Sequence, residues 1–182
     1  SRQNISQPPK KERFVGRVVS SFPLRETRSK YKGFSMENFL EETLYITKDN
    51  RGVSAELHKL LGEKKIPCEI VGTIPEGAKR VIVLEGLNNI DSIEEAIEIN
   101  KSVFGHARIY AKEASTGREG LFITAQIDFS VDKSPHRAWS LGIDSLTKTG
   151  SWEWKGTNLK AITLRMSKAG TKEMAEAIYY EM

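Results

Sequence analysis

The clearest pattern in the chain is an alternation of apolar and polar residues between Gly120 and Val131. Successive side chains of a β-strand point to opposite faces of a sheet, so this segment would present one apolar face and one mostly polar face. The apolar set comprises Leu121, Ile123, Ala125, Ile127, Phe129 and Val131. The alternation predicts a long strand at the centre of an antiparallel sheet, with one face on the core and one near water.

The segment before this strand, residues 36–114, shows an alternation of strand and helix patterns. Apolar residues at helical spacing predict helices beginning near Val53 and Asp91, and Glu94 would complete a capping box with Asp91. The predicted strands are 44–47, 68–74, 80–84 and 107–113. The resulting order of strand, helix, strand, strand, helix, strand is that of a ferredoxin-like βαββαβ unit.

From Ser115 onwards the pattern favours β-structure, with a hairpin turn at 115–118. Short strands are predicted at 138–143, 151–155 and 159–166, and a last helix with an apolar stripe begins near Thr171. The predicted fold class is therefore α+β: a mostly antiparallel sheet with a ferredoxin-like portion and a β-rich C-terminal half closed by a helix. We expect one globular domain over residues 35–182, and a sub-boundary near residue 115 stays open.

The run Leu44-Tyr45-Ile46 stands where RNA-recognition-motif domains carry their first aromatic strand. The stretch from Glu94 through Arg108-Ile109-Tyr110 is similar to the last helix and last strand of that family. Over residues 36–114 the chain thus resembles an RNA-recognition motif. The third strand, 79–84, lacks the two aromatic residues of the family, so the resemblance implies a degenerate member whose sheet does not stack bases in the usual way.

Charge is distributed unevenly along the chain. The first 34 residues hold nine basic residues and two acidic ones, whereas the whole chain holds 28 and 24, which leaves 19 basic and 22 acidic residues for the rest. A basic arm with an edge strand near 13–22, attached to a mildly acidic body, is typical of an electrostatic tether, and its natural partner is a polyanion. A solvated tail that aids solubility is the alternative.

Composition limits the remaining classes of protein. A 38% hydrophobic and 29% charged composition is ordinary for a soluble globular protein, and the single cysteine, Cys68, excludes an intrachain disulfide. Cys68 is interpreted as a small buried residue rather than as a nucleophile. There is no apolar run long enough to span a membrane and no apolar signal segment, so we expect an intracellular, cytoplasmic protein, including one made in a virus-infected host cell.

Aromatic residues beside cations suggest where a nucleic acid would bind. Trp152 and Trp154 would project to the same face of the strand 151–155, close to lysines that could contact phosphates while bases stack on the rings. The alternative is that both tryptophans pack in the core. The predicted nucleic-acid-binding set is Lys10, Lys11, Arg13, Arg17, Arg25, Arg28, Lys30, Tyr31, Lys32, Tyr45, Trp152, Trp154 and Lys155.

No catalytic motif stands out, and we expect neither a cofactor nor a metal. The histidines are far apart, and the glycines fit neither a dinucleotide-binding nor a P-loop spacing. The primary hypothesis is a protein that binds single-stranded RNA or DNA. The sequence leaves open whether it also forms a homo-oligomer. Two alternatives remain: a self-assembling, coat-like structural protein of a virus or mobile element, and a metal-dependent nuclease. The nuclease would use Asp128, Asp132, His136 and Asp144.

Overall fold

The structure, a computed structural model, describes residues 18–20, 41–112, 116–128, 135–167 and 169–182, and for 18–20 and 135–139 it describes the backbone alone. Within these residues six strands form one sheet, flanked by four helices. In chain order the elements are β1 (Val18–Ser20), β2 (Leu44–Thr47), α1 (Val53–Glu63), β3 (Cys68–Val71), β4 (Arg80–Gly86), α2 (Ile93–Ala111), β5 (Gly120–Ile127), α3 (Pro135–Glu153), β6 (Leu159–Met166) and α4 (Thr171–Glu181).

The strands lie in the order β1-β6-β5-β4-β2-β3. Strands β2 to β6 are all parallel, and only the short edge strand β1 is antiparallel to its neighbour β6. Leu44 of β2 stands between Cys68 of β3 and Arg80 of β4, so the chain moves outwards in one direction to β3 and then in the other direction through β4, β5 and β6. This reversal of strand order defines a doubly wound α/β fold.

Helices cover both faces of the sheet, because neighbouring parallel strands are joined by crossovers. Helices α1 and α4 pack together on one face, over an apolar cluster that includes Leu57, Ile82 and Ile178. Helices α2 and α3 pack together on the other face, over a second cluster that includes Val83 and Tyr110. We call these the α1/α4 side and the α2/α3 side.

Local side-chain hydrogen bonds determine where the first two helices begin. The carboxylate of Asp49 accepts the backbone N–H groups of Val53 and Ser54, which the first turn of α1 leaves unpaired, and that of Arg51 just before the helix, all at 2.7–3.1 Å. Helix α2 begins after Ser92, whose hydroxyl accepts the N–H of Glu95 at 3.2 Å. The N-cap of α2 is therefore Ser92, one residue after the predicted cap Asp91.

The prediction of a mostly antiparallel α+β fold is wrong, and so is its ferredoxin-like portion. Residues 107–111 belong to α2, and residues 138–143 and 151–153 belong to α3, although strands were predicted there. A short apolar run fits both the two-residue period of a strand and the 3.6-residue period of a helix. In α2 the buried residues Val103, His106 and Tyr110 are three and four residues apart, which is the helical spacing. With these strands replaced by helices, the hairpins disappear and the strands connect through parallel crossovers. The predicted strands 44–47 and 159–166 are confirmed as β2 and β6.

The alternating pattern that begins at Gly120 does form a strand, β5, which ends at Ile127. Its two faces are as predicted, because Ile123 lies in the apolar cluster of the α1/α4 side and Phe122 in that of the α2/α3 side. The antiparallel pairing and the solvated face are wrong: β5 lies between two parallel neighbours, and Thr124 and Gln126 are buried. Parallel sheets are buried on both faces. The polar residues that alternate with apolar ones in β5 therefore lie in the interior on the α2/α3 side and not in solvent.

Candidate functional site

Four of the predicted nucleic-acid-binding residues lie in the part of the chain that the structure describes: Tyr45, Trp152, Trp154 and Lys155. The other nine lie outside the described residues: Lys10, Lys11, Arg13, Arg17, Arg25, Arg28, Lys30, Tyr31 and Lys32. The structure therefore gives the geometry of the predicted interface only at these four residues.

The two tryptophans do not share a face. Trp154 is buried, and its ring centroid lies 5.1 Å from that of Tyr110 and 6.0 Å from that of Phe122. The predicted side-by-side placement on a strand is wrong because α3 continues to Glu153 and the chain then turns. Trp154 occupies the core, which was the alternative for both rings.

Trp152 is instead 62% exposed, and the Lys155 ammonium nitrogen lies 5.7 Å from the centroid of its indole ring. A cation held at this distance over an aromatic face is attracted by the ring quadrupole. An exposed indole and an adjacent ammonium can stack a base and contact a phosphate at neighbouring positions.

The short strand β1 runs towards the edge of the sheet at which this surface lies. Val18 pairs with Arg165 and Ser20 with Thr163, so β1 runs towards the amino end of β6. Helix α3 ends at this same edge, because it leads the chain from the carboxyl end of β5 to the amino end of β6. The densest basic cluster, within residues 25–32, follows β1 in the sequence. The chain therefore leaves β1 in the direction of the edge at which α3 ends.

Tyr45, a member of the predicted nucleic-acid-binding set, does not lie on an open sheet face. It is half-buried in β2 and packs against the apolar cluster of the α2/α3 side. Bases stack on a sheet only where one face is open to solvent, whereas helices flank both faces of this sheet. Stacking on the sheet surface is therefore excluded for the described strands that the helices cover.

A second candidate site is the carboxyl edge of the sheet between β2 and β4, where doubly wound folds bind their ligands. The loops that follow these strands are tied together by three hydrogen bonds of 2.8 Å. The Asn50 N–H donates to Asn88 Oδ1, the Asn50 amide donates to the Asn89 carbonyl, and the Asn89 N–H donates to Asn50 Oδ1. The crevice between the two loops is thus bridged by the protein itself.

The helix N-terminus beside this crevice is also occupied by the protein. The N-terminal N–H groups of a helix following a strand form the usual phosphate position of such folds. Here Asp49 accepts the first two, from Val53 and Ser54, and the N–H of Arg51 just before the helix, so a phosphate would have to displace a carboxylate of like charge. An Asp three residues before Gly52, at the start of a predicted helix, is the signal in the sequence for this arrangement, and the predicted site residues do not include it.

Behind the crevice lies a buried polar cluster centred on Glu85. Its carboxylate accepts hydrogen bonds from the hydroxyl groups of Thr47 and Ser102 and contacts His106 Nε2 at 2.8 Å. The Ser102 hydroxyl also faces His106 Nε2, at 3.4 Å. In a nucleophilic triad the serine and the acid engage opposite nitrogens of the imidazole. Because both engage Nε2 here, the geometry is that of a structural network.

The carboxylates of the nuclease alternative do not assemble into a metal site among the described residues. Asp144 is buried and ion-paired with Arg165 and, at 2.8 Å, with Lys148, so its charge is already compensated. Asp128 follows the end of β5, whereas Asp132 and the side chain of His136 lie outside the described residues. No group of three metal-ligating side chains that could hold an ion occurs in the described part of the chain.

The one cysteine lies in an unreactive environment. Burial raises the pKa of the Cys68 thiol, and the nearby Arg80 guanidinium opposes this rise only in part. Burial in turn lowers the pKa of Arg80, although its guanidinium donates to the Glu42 carbonyl at 2.9 Å. The thiolate is the nucleophilic form of cysteine, so a raised pKa disfavours a catalytic role for Cys68.

Comparisons with known proteins do not assign the chain to a family. No protein-family model matches the chain, and a search of curated proteins finds no significant match. Over the described residues, no helix has both the length and the apolar character required to cross a membrane.

Proposed function

We propose that this protein binds single-stranded nucleic acid through its basic N-terminal segment and the surface formed by Trp152 and Lys155. The observation that carries the proposal is the exposed indole with an ammonium group over it. It lies at the sheet edge towards which the chain leaves β1.

The two parts of this interface have different roles. The basic residues of the segment neutralise phosphates and release counterions, which supplies affinity without reading sequence. The indole of Trp152 supplies a π-face for one base, worth about 1–3 kcal/mol. Trp154 is not part of the proposed interface, since its ring belongs to the core.

The test is a binding titration with single-stranded RNA and DNA at two salt concentrations. If about four phosphates are contacted, affinity should fall roughly 50-fold between about 50 and 200 mM salt. Replacing Trp152 by Ala should weaken binding about 5- to 150-fold at constant salt, corresponding to the loss of one stacked base. Equal affinity at both salt concentrations, or no binding at either, contradicts the proposal.

The basic segment must be tested without removing β1, because its pairing with β6 protects a sheet edge. Two variants leave β1 intact: deletion of residues 1–12, and replacement of Arg25, Arg28, Lys30 and Lys32 by Gln. Each should reduce both the affinity and the slope of its salt dependence. Lys59→Gln, an exposed lysine on α1, is the matched control and should change neither.

A further inference from the structure

The large exposed apolar side chains are concentrated on one side of the protein. Among the described residues six are exposed, and five of them belong to α2 and α3: Ile93, Ile97, Phe104, Leu141 and Trp152. The sixth, Tyr180, lies on α4. Single exposed apolar residues are ordinary, but a contiguous group on two neighbouring helices is typical of an interaction surface.

Helical geometry places three of these residues on one stripe. Ile93, Ile97 and Phe104 are separated by four and seven residues, so they project within about 40° of each other over about 16 Å of α2. Between them lies Asn100, which packs so closely on α3 that a Cβ at Gly142 would collide with its Oδ1. Leu141 adjoins this contact, so the apolar group is centred on the crossing of α2 and α3. We call Ile93, Ile97, Phe104 and Leu141 the apolar patch.

The charges along α2 are segregated by sign. The exposed acidic residue Glu94 lies in its first turn and the exposed basic residue Arg108 in its last turn. Lys101, at the middle of the helix, is ion-paired at 2.6 Å with Glu98 of the same helix, so the pair adds little net charge there. A two-fold axis perpendicular to a helix places it antiparallel to its symmetry mate. In that arrangement the acidic end of each copy of α2 faces the basic end of the other, whereas a parallel arrangement would bring like charges together.

We propose that the apolar patch binds a second copy of this chain, with the two α2 helices antiparallel about an axis near Lys101. Ile97 then packs near Phe104 of the second copy, and Glu94 lies near its Arg108. Two adjacent 19-residue helices present a face of about 28 by 20 Å, which is of the order that one partner contributes to a standard interface. This inference uses no residue of the proposed nucleic-acid interface.

The first test is analytical ultracentrifugation of the nuclease-treated 182-residue chain over a wide concentration range. The chain should sediment as a dimer, and Ile97→Asp or Phe104→Asp should weaken self-association about tenfold or more. Tyr180→Asp, which replaces an even more exposed apolar residue on α4, is the control and should leave the dimer intact. Circular dichroism and thermal unfolding verify that each variant is folded. A wild-type monomer at all concentrations, including one that binds some other protein through this patch, overturns the proposal.

The second test examines the antiparallel arrangement by charge reversal. Glu94→Arg and Arg108→Glu should each weaken the homodimer, since each variant brings two pairs of like charges together. Mixing the two variants should restore association, because in the heterodimer every pair has opposite signs. Weakening by both single variants followed by restoration on mixing supports the antiparallel arrangement, because in a parallel dimer the single variants would leave the like-charge pairs as they are in the wild type. Unchanged association of the single variants, or an equally weak mixture, overturns it. Nucleic-acid binding by the same variants is measured separately, so failure of one proposal is distinguishable from failure of the other.

Discussion

The two sides of the sheet differ both in the polarity of their buried residues and in the apolar residues that they expose. On the α1/α4 side the interior is formed by aliphatic residues such as Leu57, Ile82 and Ile178, and the outer surface of α1 is charged. On the α2/α3 side the interior also contains buried polar residues, while the outer surface carries the apolar patch among exposed charged side chains. These buried polar residues include Thr47, Glu85, His106, Thr124, Asp144, Thr147 and Thr163.

Both sides bury an apolar cluster, and the proposed dimer interface lies on the side whose interior is also polar. Aliphatic burial on the α1/α4 side stabilises the fold without requiring any particular hydrogen-bond geometry. On the α2/α3 side, directional bonds fix the two helices: Glu85 engages His106 of α2, and Thr124 bonds Thr147 of α3 at 2.8 Å. Helices held in this way can present an apolar outer surface in a defined geometry.

The largest effect is expected from removing apolar volume on the α1/α4 side. Leu57→Ala should lower the free energy of unfolding by about 2–5 kcal/mol, since it removes a fully buried side chain and leaves a cavity. Ile97→Ala, an aliphatic truncation on the outer surface of α2, should change it by less than about 0.5 kcal/mol in the monomer. Urea denaturation at low protein concentration measures both, and equal losses would contradict the division between the two sides.

The polar interior of the α2/α3 side should respond differently to single and combined substitutions. Glu85→Met leaves the hydroxyl of Thr47 and the imidazole of His106 without their acceptor, which should lower the free energy of unfolding by about 1–3 kcal/mol. The triple variant Thr47→Val, Glu85→Met, His106→Leu removes these donors too, but Thr47→Val also removes the acceptor of the buried Leu84 N–H, which donates to Thr47 Oγ1 at 2.9 Å. It should therefore recover only part of the loss.

Ser102 is left unchanged in this triple variant because it is exposed and can bond to water. The same urea denaturation, applied to the single and triple variants, provides the comparison. A loss in the triple variant as large as the sum of its single losses would show that the cluster contributes through packing alone.

The smallest expected effect concerns Cys68, which packs against the apolar cluster of the α1/α4 side. Because burial raises the pKa of this thiol, the folded chain holds its proton to higher pH than the unfolded chain does. The resulting stability is fully present below the unfolded pKa, about 8.5, and is lost as pH rises towards the folded value.

Alkylation rates measure this shift through the thiolate fraction. At a pH near 8.5 iodoacetamide should react more slowly with the native protein than with the protein in denaturant. The rate of the native protein should continue to rise at higher pH, where that of the unfolded chain has levelled off. A native rate profile that levels off at the same pH as the unfolded one would contradict a raised pKa.

The sequence predicts individual elements better than their arrangement. The alternation in β5 correctly identifies its two faces, since side-chain direction in a strand depends only on local geometry. Whether a neighbour is parallel or antiparallel depends on the connection. That connection was assigned as a hairpin because residues 107–113 were interpreted as a strand, and α2 occupies 107–111.

The candidate sites depended on the same distinction. Placing residues 151–155 on a strand put Trp152 and Trp154 on one face, whereas the end of α3 separates them into an exposed and a buried ring. The sequence does not reveal the apolar patch, because Ile93 and Ile97 stand at helical spacing with core residues such as Val103, whereas the structure exposes both isoleucines. Composition along a helix does not show which stripe a neighbouring helix covers. The charge asymmetry of the first 34 residues needs no fold to be recognised, and it stays a prediction.

The most direct test of the difference between the two sides is hydroxyl-radical footprinting of the chain across a concentration series. The account predicts that labelling of Phe104 and Leu141 falls as concentration rises, while labelling of Tyr180 stays constant. The reason is that the outer surface of the α2/α3 side becomes covered and that of α4 does not. Constant labelling of Phe104 and Leu141 at every concentration, or an equal fall at Tyr180, would contradict it.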